Sequence, residues 1–175
     1  LVEKEEEDAE QVAQDISAVM EQALSDFDRM RSREGQKLSD DILTRADTIE
    51  RLVTLVEERS PQTVSEYRAK LEARMNEVLA NTQLDPARIL TEAAIFADKV
   101  AVDEETVRLR SHISQLREML GQGGATGRKL DFLIQEFNRE ANTIGSKCSD
   151  IEIARHVVDI KAEIEKIREQ VQNIE

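Results

Sequence analysis

The segment SDIEIARHVVDIKAEIEKIREQVQNIE, residues 149–175, decides the fold class of this chain. Its apolar side chains recur at alternating spacings of four and three residues, at Ile153, Val157, Ile160, Ile164, Ile167, Val171 and Ile174. This period places them on one stripe of an α-helix, and a helix of this length extends about 40 Å. We expect it to begin at Ser149 or Asp150 and to bury the stripe in a helical bundle or a coiled coil.

The N-terminal part of the chain carries the same kind of pattern. Apolar stripes run through residues 12–30 and 38–56. No proline or turn cluster accompanies Gly35 between them, so the pattern predicts one helix that continues past this glycine, with another backbone packed closely there. Ser60 followed by Pro61 fits the cap and first position of a new helix, which predicts that the first helix ends there.

Three further helices are predicted before the final one, over residues 87–99, 103–120 and 128–144. Asp85 and Pro86 repeat the start signal, and Gly145 is expected to end the helix before it. Four of the seven residues from Gly121 to Gly127 are glycine, which predicts a mobile loop. It lacks the Lys–Ser/Thr pair and the preceding strand of a phosphate-binding loop.

These patterns predict an all-α protein of long amphipathic helices in an elongated helical bundle or coiled-coil-like assembly. Apolar residues make up 39% of the chain, charged residues 35% and aromatic residues 3%, a composition typical of long helices. We expect residues 1–82 to form a long helical hairpin and residues 83–175 a second helical domain.

The composition also bounds the setting of the protein. The longest apolar run, residues 93–97, is too short to cross a membrane. A single cysteine, Cys148, excludes an internal disulfide and suits a reducing compartment, so a cytoplasmic protein is expected. Leu1 is followed by an acidic run, from which we expect the chain to begin inside a larger protein.

The net charge of −13 argues at first against binding to nucleic acid. The charge is uneven, however, because eight Lys or Arg stand against seven Asp or Glu between Lys99 and Lys147. This nearly neutral segment, inside an otherwise acidic chain, is compatible with an anion site and is where we expect any chemistry to lie.

Two polar helix faces lie within that segment. On the helix over 103–120, one stripe beside the apolar face combines carboxylate, guanidinium, imidazole and amide groups, at Glu104, Arg108, His112 and Gln115. Glu104 and Arg108 also have the spacing of an ordinary helical ion pair, and His112 could be a satisfied boundary residue, so spacing alone leaves both interpretations open.

The face of the next helix is more informative. Around Arg128 it gathers Asp131, Gln135, Asn138, Arg139 and Asn142. Because Asn and Asp are poor helix formers, their presence indicates groups held for directed hydrogen bonds. Phe132 lies on the same polar face, where it could pack on another subunit or offer a stacking surface to a base. We therefore interpret this face as functional or interfacial.

The residues of these faces carry a family resemblance. The segment GRKLDFLIQEFNREANTIGSK, residues 127–147, closely resembles the signature of the bacterial YicC/YloC-like family. Residues 104–112 resemble its EE-x-V-R-L-x-S-H stretch, residues 31–38 its R-x-x-E-G-x-x-L stretch, and residues 160–175 its C-terminus. The chain departs from the family where an acid and Ile are usual, since it has Ala101 and Val102.

The resemblance implies a stress-associated endoribonuclease that needs a divalent metal, assembles as a ring-like homohexamer and carries a further N-terminal domain. On this basis the candidate catalytic residues are His112, Glu104 and Asp131. The candidate ligands for Mg²⁺ or Mn²⁺ are Glu104, Glu105, Asp131 and Glu136. The candidate RNA-binding residues are Arg108, Arg128, Gln135, Asn138, Arg139, Asn142 and Lys147.

A competing hypothesis is a non-catalytic helical oligomerisation or adaptor module, in which the face from Arg128 to Asn142 is a subunit contact. Metal-dependent RNA cleavage separates the two hypotheses. A simpler observation is whether that face lines an open cavity or is covered by another chain.

Overall fold

A computed structural model describes residues 9–78, 86–122 and 127–173 of the chain. These residues form five α-helices: α1 (Ala9–Val78), α2 (Pro86–Val100), α3 (Asp103–Gln122), α4 (Gly127–Lys147) and α5 (Ile151–Val171). No β-strand occurs within these ranges, which confirms the predicted all-α class. Among the same residues, no helix has the length and apolar character that a membrane span requires.

The middle of α1 packs with α3, α4 and α5 around one apolar core. Helix α1 contacts α3 and α5, and α4 lies against both of them, so the four helices form a bundle. Helix α1 contributes Ile42, Ala46, Ile49, Val53 and Val56, each fully buried. The seam predicted for α5 is confirmed, because Ile153, Val157, Ile160, Ile164, Ile167 and Val171 are all buried. Ile174 lies outside the described residues.

Asp150 begins α5 as its N-cap, in agreement with the sequence pattern. One oxygen of its carboxylate accepts hydrogen bonds from the backbone N–H groups of Glu152 and Ile153, both at 3.0 Å. The other oxygen accepts from the guanidinium of Arg59 on α1 at 2.7 Å. This residue therefore joins the start of α5 to the middle of α1.

Helix α1 runs unbroken for 70 residues. Its continuation past Gly35 is confirmed. The close approach of another backbone expected there is absent from the described residues, because beyond the adjoining turns of α1 itself no atom lies within 4 Å of where a Cβ would stand. The end predicted at Ser60 and Pro61 is wrong. Arg59, just before the proline, donates to Glu66 beyond it at 2.6 Å and bridges the position where one backbone hydrogen bond is lost.

The predicted hairpin over residues 1–82 is consequently wrong for residues 9–78, which form a single helix. The C-terminal part of α1 packs against α2, where the rings of Tyr67 and Phe96 stack with centroids 3.9 Å apart. The division of the chain into two domains near residue 82 stays a prediction.

The N-terminal arm of α1, residues 9–34, is exposed at every position. Its apolar stripe has no cover within the described chain, and Ile16, Val19 and Phe27 are each at least half exposed. Helices in proteins gain most of their stability from packing of such a stripe. The arm thus presents an unpartnered apolar face.

Gly145 does not end α4, contrary to the prediction, because the helix continues to Lys147. A Cβ at this glycine would lie 3.2 Å from Cγ1 of Val157, so the small residue allows α4 and α5 to pack closely. The loop predicted over residues 121–127 falls largely outside the described residues. Gly121 belongs to α3 and Gly127 begins α4.

Candidate active site

Three ionisable side chains converge between α3 and α4. His112 belongs to α3, whereas Glu136 and Glu140 lie one turn apart on α4. Residues four apart share one side of a helix, so both carboxylates face the imidazole. One ligand atom from each of the three lies within 4.8 Å of the others. We call His112, Glu136 and Glu140 the His112 cluster.

The cluster borders the apolar core. Glu140 is only 2% exposed, and Phe137 beside it on α4 is fully buried. The ring centroid of Phe137 lies 6.2 Å from that of His112. In such surroundings a polar group that lacks a partner costs more free energy than it does at an open surface.

Several buried polar atoms at this interface have no partner. Both ring nitrogens of His112 are buried without a hydrogen bond to any described residue, and so is Oε2 of Glu105. Leaving a buried donor or acceptor unsatisfied costs roughly 1–3 kcal/mol. Three such atoms on one helix face make this interface a candidate binding place for a water, an ion or a ligand.

Basic side chains surround the carboxylates. The ammonium of Lys147 donates to Oε1 of Glu105 at 2.7 Å, about two helical turns from His112 along α3. Arg108 is paired with Glu104, and its second nitrogen lies 3.9 Å from Oε1 of Glu140. These cations lie beside the carboxylates at the interface, where they could also meet an anionic substrate.

The opposite flank of α4 forms a second hollow together with α5, with a volume of about 770 Å³. We call it the α4–α5 hollow. From α4 it is lined mainly by Asp131, Gln135, Asn138, Arg139 and Asn142. The other wall is lined by Arg168 of α5 and by Gln172, the residue that follows α5. This polar face therefore lines an open cavity in the isolated chain.

The structure divides the predicted site residues between these two places. It brings His112 and Glu136 together, while Asp131 lines the α4–α5 hollow. Glu104 is exposed on α3, and Glu105 is buried against Lys147. The four carboxylates predicted as metal ligands do not form one group within the described residues. Arg128 is exposed near the start of α4.

Glu140 completes the cluster and was missed by the sequence analysis. Its spacing of four from Glu136 was the available signal. The helical period, however, places Glu140 at the edge of the apolar face of α4, outside the polar stripe around Arg128. Only the packing of α3 against that edge brings it to His112.

Cys148 has a structural role at the end of α4. Its thiol donates to the carbonyl of Gly145 at 3.1 Å. Burial, followed by the nearby charge of Asp150, raises the pKa of the Cys148 thiol. Because the thiolate is the reactive form, this residue does not have the character of a nucleophile.

The fold and the site together define an all-helical protein with a partly buried carboxylate–imidazole cluster at a helix interface. The chain belongs to the family described as "Endoribonuclease YicC-like, C-terminal", whose model matches residues 56–175. This confirms the resemblance found in the sequence.

Two curated relatives are similar over almost the whole chain. A "Probable endoribonuclease YicC" of Clostridioides difficile is 46% identical over 99% of the chain. A protein of the same name from Haemophilus influenzae is 39% identical over 100% of it. The chain spans 60% of the length of each relative.

Proposed function

We propose that the complete protein is a metal-dependent endoribonuclease and that the His112 cluster holds its divalent cation, Mg²⁺ or Mn²⁺. The observation that carries the proposal is the pair of buried, unpartnered nitrogens of His112 beside two carboxylates. The cluster also involves α4, whose 21 residues are the segment with the strongest family resemblance.

The donor set fits a small, hard cation. Carboxylate oxygens suit Mg²⁺ and Mn²⁺, and an imidazole nitrogen moves the preference toward Mn²⁺. Ligand atoms around such an ion, bound at about 2.1 Å, lie at most about 4.2 Å apart. The ligand atoms of the cluster, all within 4.8 Å, therefore need only a small contraction.

A bound cation would act as a Lewis acid toward a phosphoryl oxygen. The residues of the chain would supply the remaining positive charge. The side chain of Arg108 is 47% exposed, and its pairing with exposed Glu104 is of the weak surface kind, so it can exchange this partner for a phosphate. Arg139, Arg128 and Lys147 extend this basic surface along α4 and would hold further phosphates.

The test is cleavage of a hairpin RNA by the complete protein with Mn²⁺, comparing wild type with Glu140→Gln and His112→Ala. Changes in the shell around a metal already cost about 10–100-fold in affinity or activity, so loss of a ligand is expected to cost at least 100-fold. Wild-type rates in both variants would refute the site.

Matched controls are available on the same bundle. His156→Ala removes the other histidine, and Glu118→Gln alters an exposed acid of α3, so both variants should cleave at wild-type rates.

A second readout does not depend on activity. In thermal unfolding, Mn²⁺ at about 100 times its Kd should raise the free energy of unfolding of the wild type by about 2.7 kcal/mol. The same concentration of Mn²⁺ should leave the stability of Glu140→Gln unchanged. Loss of cleavage in His112→Ala with this stabilisation intact would assign His112 to proton transfer in place of cation binding.

A helical assembly function is the second candidate, and the exposed apolar stripe of the α1 arm favours it. We propose that the protein is a homo-oligomer, with the hexamer of the family as the expected state, and that the arm contributes to its contacts. Ile16→Glu with Phe27→Glu should lower the mass found by sedimentation without changing the helical content. An unchanged mass would exclude the arm from the assembly.

The family and the names of the relatives support RNA as the proposed substrate. The stress association that the resemblance implies and the cytoplasmic location expected from the single cysteine both stay predictions. Comparing RNA profiles of a host with and without the intact protein under stress would test the first.

A further inference from the structure

The α4–α5 hollow has a polar chemistry different from that of the His112 cluster. Four side-chain amides reach it, from Gln135, Asn138, Asn142 and Gln172. Within the described ranges, no hydrogen bond engages any of these amides, although Gln and Asn elsewhere in the structure do find partners, as Gln11 does with Asp15 at 2.9 Å. Each free amide offers both donors and an acceptor.

The charge of the hollow is small. The negative charge of Asp131 partly offsets the positive charges of Arg139 and Arg168. Each arginine also pairs with a glutamate of its own helix, Arg139 with Glu136 at 3.4 Å and Arg168 with Glu165 at 3.5 Å. A surface that bound only phosphates would be more strongly basic. The hollow is therefore better suited to a ligand with several neutral hydrogen-bonding edges and a single charge nearby.

Arg139 connects the hollow to the His112 cluster. It lines the hollow, and its Nη1 lies 3.4 Å from Oε2 of Glu136, which belongs to the cluster. Phe132 precedes Arg139 by seven residues, or about two turns of α4, and is 63% exposed. The ridge between the two sites thus carries one guanidinium and one exposed aromatic ring.

We propose that the α4–α5 hollow is a base-reading subsite that selects one nucleotide of a single-stranded RNA segment next to the cleaved bond. This proposal rests on the endoribonuclease function proposed for the His112 cluster. Asn138 and Asn142 read the base edge, Arg139 holds the phosphate that spans the ridge, and Phe132 stacks on the neighbouring base.

The chemistry requires an unpaired segment. Amides recognise a base through the edges that pairing occupies in a duplex, and aromatic rings stack on bases that are splayed out. An RNA strand with one phosphate at the His112 cluster and a base on the other side of α4 must have that base unstacked from its neighbours. Unstacking and unpairing a base costs more free energy in a duplex than in a single strand.

The experiment is cleavage of a randomised single-stranded RNA library by the complete protein, with the product ends sequenced. The wild type should show a base preference at one position within about two nucleotides of the cut. The double variant Asn138→Ala/Asn142→Ala should lower this preference by about 5- to 100-fold, which is the range by which a bidentate amide contact discriminates between bases.

The matched control is Asn173→Ala, which removes an amide at the end of α5 whose hydrogen bond goes to the carbonyl of Glu169 at 3.0 Å. This variant should keep the wild-type preference. An unchanged preference in the double variant, while Glu140→Gln is inactive, would overturn the subsite and leave the proposed function standing.

Two further results would decide against the proposal. A lower oligomer mass in the double variant would make the hollow a subunit contact. Cleavage confined to duplex RNA would also overturn it. If the wild type cleaved no RNA at all, the proposed function itself would fail and the subsite with it.

Discussion

Replacing Asp150 by alanine tests the junction between α1 and α5. The carboxylate makes two contacts of different kinds, the N-cap bonds to Glu152 and Ile153 at 3.0 Å and the pairing with Arg59 at 2.7 Å. Loss of an N-cap costs about 1 kcal/mol. In a chain of this size that alone lowers Tm by about 3 °C, and loss of the ion pair adds to it.

Asp150→Asn separates the two contributions. Asparagine caps a helix about as well as aspartate but carries no charge, so this variant should lose only the pairing with Arg59. The free energy of unfolding is expected to be highest for the wild type, lower for Asp150→Asn and lowest for Asp150→Ala. It is measured by urea denaturation with circular dichroism as the readout.

Two outcomes would refute this reasoning. Equal stability of all three proteins would mean that neither contact contributes. Equal loss in both variants would assign the whole effect to the ion pair and none to the cap. Asp159→Ala, at an exposed position further along α5, is the control and should unfold within about 0.5 kcal/mol of the wild type.

Three further predictions follow from the bundle. The hydrogen bond from Arg110 lowers the pKa of Glu57, and the hydrogen bond from Lys166 lowers the pKa of Glu163. The stability that these two carboxylates contribute is therefore complete above about pH 4.5 and is lost as the pH falls through the lowered pKa values. Urea midpoints measured between about pH 5 and pH 3 should therefore decrease; a flat profile would contradict these ion pairs. Gly35→Ala places a methyl group in open space on a helix and should raise the free energy of unfolding by about 1 kcal/mol. Gly145→Val overpacks the contact with α5 and should lower the free energy of unfolding by about 1–3 kcal/mol. The reverse order of the two variants in thermal unfolding would show that the close approach of α4 and α5 is absent. Phe137→Ala should cost about 3–5 kcal/mol, since the ring is fully buried, and a loss below about 1 kcal/mol would contradict its central position.

The elements of the fold that depend on local pattern could be predicted from the sequence. The apolar stripe of α5 and its start at Asp150 could be predicted from neighbouring residues alone, because helical period and capping depend on residues within a few turns of each other. Long α1 was predicted only in part. Proline suits the first turn of a helix and costs about 3 kcal/mol or more in its interior, so the local pattern around Pro61 favours a helix start. The contacts of Arg59 and of α2, which accompany the continuation of α1 beyond Pro61, are tertiary or lie beyond the local pattern.

The candidate site was predictable as two polar faces and not as an arrangement. The amino-acid pattern was enough to predict that α3 and α4 carry imidazole, carboxylate, guanidinium and amide groups in helical register, because side-chain direction follows the period of the helix. The folded arrangement was needed to see that Glu140 joins His112 and Glu136 on one side of α4, while Asp131 faces α5 on the other. The reason is that helix packing determines which side of α4 meets α3 and which side meets α5. This packing depends on the whole core and not on any single stretch of the chain.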